Sequence, residues 1–426
     1  MMTIHEQIIQ EANNISEQVI AWRRDIHAHP EMSNMEFRTS KLVAAHLKSL
    51  NFDEVYEGLA GGTGVIGILH GAQDGPTVGM RFDMDAQAVK ETTRLPFAST
   101  QTCQWGGETV PVMHCCGHDV HTSMGMATAV ILTHLKDRLH GKAMFVFQPA
   151  EEGPSPGWVG RHGADAIMHE KVFEENKPAA MFTLHIDPNQ PIGTAGELAF
   201  MPGQTCMAIS SFSIELEGVG GHNAKPWVGI DTLLPGAQIL QGLQNIVTRN
   251  VNPNTNQVVL TVGQFLGGTK YNVIADHTVL RGACRFTDYS TRSYLENRVE
   301  EVVSGIAAAG NVKSKLTWDM HYPPNFNNAE LMKKVVPQLE KTLGQGRVTS
   351  AKERCAQFPD DFSYYTLQIP SIYAMLSCAP DSGDPKKVAG LHTANLMVNE
   401  KCILEGVKAA STFALCYAGE DEDSKE

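Results

Sequence analysis

Ala143-Met144-Phe145-Val146-Phe147-Gln148-Pro149-Ala150-Glu151-Glu152-Gly153 is the stretch on which the fold turns. Its first half is a short apolar run with aromatic and β-branched residues, which predicts a strand buried on both faces. Its second half is polar and carries two adjacent glutamates. Runs of the same kind occur at Val65 to Leu69, Thr77 to Phe82, Ala180 to His185 and Ser371 to Leu376. Helical stretches separate most of them, including His118 to Leu135. Ile8, Ile15, Val19, Trp22 and Ile26 recur at the spacing of one helix face, and a second helix is expected to carry Phe37, Leu42, Val43, Leu47 and Leu50. Short apolar strands alternating with helices predict an α/β fold with a mainly parallel sheet covered on both sides.

The segment from about 203 to 321 reads differently. Phe212, Ile214 and Leu216 alternate with Ser213, Glu215 and Glu217, as in a strand with one wet face. A helix follows with Ile239, Leu240, Leu243, Ile246 and Val247 on one side. Strands at Gln257 to Phe265 and Thr278 to Phe286, a helix through Leu295, Val299, Val302, Val303 and Ile306, and a strand near Val312 to Met320 complete the series. The order β-α-β-β-α-β is the split, ferredoxin-like arrangement. Residues 203–321 are therefore expected to form a small domain inserted into a larger one made of 1–202 and 322–426.

Composition narrows the function. The 426 residues include 47 acidic and 34 basic side chains, a net charge of −13, which argues against nucleic acid or an anionic membrane as the partner. No apolar run has the length of a membrane helix. Met1-Met2-Thr3-Ile4-His5-Glu6 lacks the pattern of a signal peptide, so a cytoplasmic location is expected. Nine cysteines in such a chain do not suggest a disulfide framework; a cysteine beside histidines is better read as a metal ligand.

The polar clusters fall at strand ends. Phe82 leads into Asp83-Met84-Asp85, Gln148 into the Glu151-Glu152 pair, the Ala180 strand into His185-Ile186-Asp187, and beyond Leu376 lies Gly390-Leu391-His392-Thr393. His114-Cys115-Cys116-Gly117-His118-Asp119-Val120-His121 precedes a helix. Ligands of open parallel sheets bind outside the carboxyl ends of the strands, so these clusters are expected to converge. Thiolate, imidazole and carboxylate are the donor types of catalytic zinc, manganese or cobalt sites. One histidine at a strand end is an ordinary scaffold residue; four such clusters in one chain point to a site.

Taken in order, Trp22-Arg23-Arg24-Asp25-Ile26-His27-Ala28-His29-Pro30-Glu31, Arg81-Phe82-Asp83-Met84-Asp85-Ala86, Met113-His114-Cys115-Cys116-Gly117-His118-Asp119 and Phe147-Gln148-Pro149-Ala150-Glu151-Glu152-Gly153 resemble the successive signatures of the M20 metallopeptidases. The match is to the amidohydrolase branch that includes aminoacylases, hippurate hydrolases and auxin-conjugate hydrolases. Gly218-Val219-Gly220-Gly221-His222, Gly267 to Ile274 and Asp361-Phe362-Ser363-Tyr364-Tyr365 continue it, so it spans almost the whole chain. The resemblance implies a catalytic metal-binding domain with an inserted lid and dimerisation domain. It makes Cys116, His118, Glu152, His185 and His392 the ligands of one or two divalent ions, Mn2+ foremost, with Zn2+ or Co2+ as alternatives. Glu151 becomes the general base, His222 the donor to the oxyanion, and Asn272 and Arg285 contacts for the substrate's polar groups. It implies a homodimer or higher homo-oligomer, and metal-dependent hydrolysis of a C–N bond, the amide of an N-acyl or benzoyl-type amino acid, in a small carboxylate substrate.

Departures from the family pattern surround the site. Gln87 stands in Asp85-Ala86-Gln87-Ala88 where leucine is usual, Asp360 where glutamate is commoner, and Lys225 and Trp227 follow His222. They keep open an aromatic aminohydrolase that releases ammonia from an anthranilate-type ring, as a nitroanthranilate aminohydrolase does. A non-catalytic metal-binding protein would have no use for Glu151. A cysteine nucleophile at Cys115 or Cys116 would leave Glu151, Glu152, His185 and His392 without a role. Cys115 is expected to pack, Asp83 to orient its neighbours, and His114 and His121 to support the ligands.

Overall fold

Strand Gly64–His70 sends Val65 and Leu69 to one apolar layer and Ile66 and Ile68 to the other. His140–Gln148 does the same with Phe145 and Phe147 on one side and Met144 and Val146 on the other. Successive strand residues point to opposite faces, so a run with no polar member can lie only in the middle layer of a sandwich. The computed structural model describes residues 2–189, 194–350, 359–381 and 388–419. It divides into two compact units, Met1–Thr205 with Asn325–Glu426, and Cys206–Pro324.

The first unit is built on an eight-stranded sheet. Its strands lie in the order Glu54–Leu59, Gly64–His70, His140–Gln148, Gln73–Asp83, Ala180–Asp187, Ser371–Ser377, Leu198–Phe200 and Val348–Ser350. The three central pairings are parallel. They bring the carboxyl ends of four strands, at Asp83, Gln148, Asp187 and Ser377, to the same edge. Helices His118–His134 and Lys401–Cys416 cover one face with the N-terminal helices, and the short helices Gly163–Met168 and Lys171–Glu175 lie on the other.

The N-terminal apolar stripe belongs to two helices, Ile4–Asn14 and Ser16–Ala28, where one was expected. The break falls at Ile15, after Asn13 and Asn14, which are weak helix formers. Ile8, Ile15, Val19 and Ile26 nevertheless all reach the core. Phe37, expected on the buried face of the next helix, opens that helix and is 54% exposed.

The second unit has a four-stranded antiparallel sheet in the order Val258–Gly267, His277–Phe286, Ala208–Glu217, Lys313–Tyr322, with helices Leu233–Asn245 and Arg292–Ala309 packed on it. This is the ferredoxin-like order. Its boundaries fall three residues later than 203–321 at each crossing. Gly203–Gln204 pairs with Phe326–Asn327, and that two-strand ladder ties both crossing segments to the first unit. Among the described residues no helix is long and apolar enough to cross a membrane, and no cysteine forms a disulfide.

Candidate metal centre

Six residues expected to act together meet beyond the sheet's carboxyl edge. Cys116 and His118 flank Gly117, whose φ of 89° places it in the left-handed region at the start of helix His118–His134. A Cβ there would come within 2.3 Å of Ile186, so only glycine lets the turn lie against the end of strand Ala180–Asp187. That contact sets Cys116 Sγ 3.4 Å from His185 Nε2. His392 Nε2 lies 3.2 Å from the same sulfur and 3.0 Å from Glu152 Oε1. Cys116, His118 and His185 form one triad of donors within 4.8 Å of one another, and Cys116, Glu152 and His392 a second. A third joins His118 to Glu151 and Glu152. Because the triads share members, they are one cluster.

The surrounding bonds determine which atoms remain for a cation. His118 turns Nδ1 to Asp85 at 3.2 Å, while its buried Nε2 has no hydrogen-bond partner. That is the arrangement of a metal-ligating histidine, with one nitrogen held by a carboxylate and the other left for the ion. Glu152 Oε1 is likewise buried, with the His392 ring beside it. Burial and the nearby Glu152 and Glu151 push the Cys116 thiol well above the ordinary range, so its thiolate requires a cation. For His118, burial opposes the charge but Asp83 and Asp85 outweigh it and hold the ring up at about 10. Burial, then His121, hold His185 well below the usual imidazole range. The donor set fits a divalent cation: soft and borderline donors, anionic surroundings and, in His118 Nε2, a buried ligand atom without a hydrogen bond.

Glu151 is the counterpart of these ligands. Burial, Asp360 and Glu152 raise its carboxyl well above the usual range, against the pull of Arg81. Behind it lies a fully buried lattice. Arg81 donates to Asp83 at 2.6 Å, to Asp360 at 3.0 Å and to Asp361 at 2.8 Å, and Gln148 donates to Asp361. Asp83 also accepts from His121 Nδ1 at 2.6 Å, and His121 Nε2 accepts the amide of Ile186 at 3.1 Å. Both nitrogens of His121 are thus engaged, and it braces the strand end that carries His185. His114 is buried with neither ring nitrogen hydrogen-bonded, and burial lowers it to about 4. The Cys115 thiol donates to Gln87 Oε1 at 3.1 Å and its carbonyl accepts the amide of His392 at 2.7 Å. Burial, then Glu152, raise that thiol to about 12, which removes it as a nucleophile near neutrality.

The other three residues that the family resemblance singles out lie in the second unit. His222 and Asn272 are neighbours across the short ladder Gly221–His222 and Val273–Ile274, with Asn223 N–H donating to the Asn272 carbonyl at 3.3 Å. Asn272 Oδ1 is buried without a hydrogen bond. Arg285 stands apart from them in the four-stranded sheet, between Ile209 and Val259. Trp227 is 78% exposed.

Two important residues were not singled out by sequence reasoning. Asp85 accepts the amides of Glu151 at 3.1 Å and Glu152 at 3.0 Å as well as bonding His118. Glu36 accepts the amide of Ala150 at 2.9 Å. The alternation Asp83-Met84-Asp85 puts both aspartates on one side of the chain and was the available signal for Asp85. Glu36 had none, since its partner lies more than a hundred residues away.

Comparison with known proteins agrees with this geometry. The family model described as peptidase family M20/M25/M40 matches residues 79–415. An N-acetyldiaminopimelate deacetylase of Geobacillus sp. (strain WCH70) is 33% identical over 399 residues, covering 93% of this chain and 96% of the relative. The hippurate hydrolase of Campylobacter jejuni is 30% identical over 395 residues, covering 93% and 95%. The crystal structure of Bacillus subtilis YXEP protein, described as a dinuclear metal-binding peptidase of family M20, superposes with a TM-score of 0.72 at 26% identity, covering 95% of this chain and 99% of that one. With strand-end donors, an engaged carboxylate second layer and relatives matched along nearly their whole length, the chain belongs to peptidase family M20/M25/M40 and is a hydrolytic enzyme of that family.

Proposed function

We propose that the protein hydrolyses the amide bond of a small N-acyl or benzoyl-type amino acid. The observation that carries this reading is the convergence of Glu151 with the shared triads of Cys116, His118, Glu152, His185 and His392. Those five residues would hold the cation, and Cys116, common to two triads, supports a pair of ions, with manganese the first choice. A divalent cation in such a site polarises a carbonyl and lowers the pKa of water towards ~7. Glu151 takes the proton from the attacking water and delivers it to the leaving nitrogen. Burial, then the anionic neighbours Asp360 and Glu152, raise Glu151 and keep it protonatable, so one carboxyl can serve both transfers. The family resemblance assigns His222 to the developing oxyanion and Asn272 and Arg285 to the substrate carboxylate, where a guanidinium forms a bidentate pair. The names of the relatives, a deacetylase of N-acetyldiaminopimelate and a hippurate hydrolase, support an amide substrate over an aromatic amine. The cytoplasm and a homodimer complete the proposal. The open edge strand Val258–Gly267, with Val259 and Leu266 about half exposed, supports pairing of two copies through the second unit.

The test is a substrate panel on protein stripped by a chelator and reloaded with manganese, zinc or cobalt in turn. Hippurate and N-acetyl amino acids should be turned over only by the loaded protein. Their methyl esters should lose ~2–5 kcal/mol in kcat/KM, and Arg285→Ala should erase most of that difference. Equal rates on acid and ester remove the carboxylate contact. Turnover of anthranilate-type amines alone, or full activity in stripped protein, overturns the proposal.

A further inference from the structure

Glu151 and Glu152 are adjacent, yet the proposed reaction gives them different work, so the turn carrying them must hold both side chains in fixed directions. That turn is unusual. Ala150, just before them, has φ 53°, in the left-handed region that an alanine avoids. Three successive amides leave it, and each is taken by a buried acidic side chain: Ala150 by Glu36 Oε1 at 2.9 Å, Glu151 by Asp85 Oδ1 at 3.1 Å, and Glu152 by Asp85 Oδ2 at 3.0 Å.

Glu36 is fully buried and does nothing else that faces solvent. Its Oε1 also accepts the amide of Asn34 at 3.0 Å, and its Oε2 accepts the Thr63 hydroxyl at 2.6 Å. The neighbouring residues of the same turn reach the same region. Ser33 donates to Asp85 Oδ2 at 2.8 Å, and Asn34 Oδ1 accepts the amide of Ser155 at 3.1 Å. The segment Ser33–Glu36 thus grips the Glu151–Glu152 turn on both sides, although none of its groups belongs to the ligand cluster. Burying two acidic side chains close together is unfavourable, and a hydroxyl or water would satisfy a backbone amide at less expense. Both oxygens of Glu36 are engaged, Oε1 by two amides and Oε2 by a hydroxyl, which fixes the direction of the side chain.

We propose that Glu36 is a positioning residue of the reaction: by holding the Ala150 amide it keeps the strained turn in the one conformation that separates the duties of Glu151 and Glu152. The proposal rests on the reading of Glu152 as a ligand and Glu151 as the base.

The test compares Glu36→Ala, Glu36→Gln and Glu36→Asp in the full-length cobalt-loaded enzyme, with Glu152→Ala alongside. The measurements are the visible spectrum of the bound cobalt, cobalt affinity by chelator competition, kcat and KM on hippurate, and thermal unfolding. Glu36→Ala should lower kcat and cobalt affinity by ~10–100-fold each, the range for groups that orient metal ligands, and alter the spectrum. KM should stay within about threefold, because no substrate contact is lost. Glu36→Gln should recover to within about threefold of the parent, since its carbonyl oxygen still accepts from Ala150 and its amide can donate to Thr63. Should Glu36→Ala fail to fold, Glu36→Asp replaces it: it keeps the carboxyl group, loses the reach to Ala150, and should show the same fall in kcat. Parental kcat and spectrum in either variant, with only a lower melting temperature, overturn the proposal. If Glu152→Ala retains its cobalt, the ligand reading fails. If Glu152→Ala loses cobalt while the Glu36 variants behave as the parent, the positioning role alone fails.

Discussion

In Cys206–Pro324 the buried polar side chains are Ser210, Thr232, Thr278 and Asn256, three hydroxyls and an amide. The other unit buries Arg23, Glu36, Arg81, Asp83, Asp85, His118, Asp119, His121, Glu151, His185, Asp360 and Asp361. The hydroxyls and the amide are satisfied within that unit: Ser210 bonds Glu296 and His321, Thr232 bonds Ala275 and Thr278, and Asn256 bonds Thr287, Thr291 and the Asp288 amide. The charged groups are satisfied by one another and by backbone amides, mostly across segments far apart in sequence. Buried charge is among the most expensive features a fold can retain, and pairing rarely recovers more than the desolvation. A chain that keeps it in one unit and excludes it from the other is using it for something besides stability. The charged unit should therefore respond to loss of a partner, to cations and to mutation at the site, and the other unit should not.

The largest expected effect is on turnover. Glu151→Gln preserves shape but cannot take a proton, and kcat should fall by ~10²–10⁴ with metal content unchanged. Loss of metal in that variant, with Glu152→Gln retaining it, would reverse the two roles. Next comes stability. Arg81→Met leaves Asp83, Asp360 and Asp361 without their common cation, and should cost about 3–5 kcal/mol in denaturant unfolding. Hydrogen exchange should localise the loss to the strands Gln73–Asp83 and His140–Gln148, and uniform loosening that includes Ala208–Glu217 would blur the contrast between the units.

A smaller effect follows from cation binding. At a hundredfold excess over Kd, manganese should stabilise the charged unit by about 2.7 kcal/mol, and exchange in 206–324 should not move. The smallest belongs to the second unit's one strongly shifted histidine. Burial, then Arg292, lowers His321 to about 4, and its ring bonds Ser210 and Tyr289. The unfolded chain protonates this ring near ~6.5, so between about 6.5 and about 4 the unfolded state holds more protons. Stability of this unit should be full above that window and decline as pH falls through it. Corrected exchange rates of Lys313–Tyr322 measure this, and His321→Gln should flatten the profile; an unchanged slope would assign it to other groups.

Much of the architecture was legible in order along the chain. Strand runs such as Val65 to Leu69 and Ala143 to Phe147 contain no polar residue to place in water, so burial on both faces follows from composition alone. The alternation of Phe212, Ile214 and Leu216 with polar neighbours likewise implies a sheet with one wet face, and the ferredoxin-like order follows from the succession of elements. Reading went wrong where two local signals compete: the Ile8 to Ile26 stripe continues through a break that only Asn13 and Asn14 hint at.

The site divides in the same way. The sequence by itself nominated the residues that the structure brings together, because several clusters of thiol, imidazole and carboxylate side chains at strand ends of one parallel sheet point to one place. It could not determine how they are held. Asp85 and Glu36 act on the amides of residues 150 to 152 across gaps of 66, 67 and 114 positions, and Arg81 reaches Asp360 and Asp361 across 279 and 280. Such bonds leave no periodic trace, since each residue is chosen for a partner whose place depends on the sheet order. Only the tertiary structure decides that His118 keeps Nε2 available while His121 engages both nitrogens, because that choice depends on which carboxylate or amide lies at hydrogen-bonding distance from each ring.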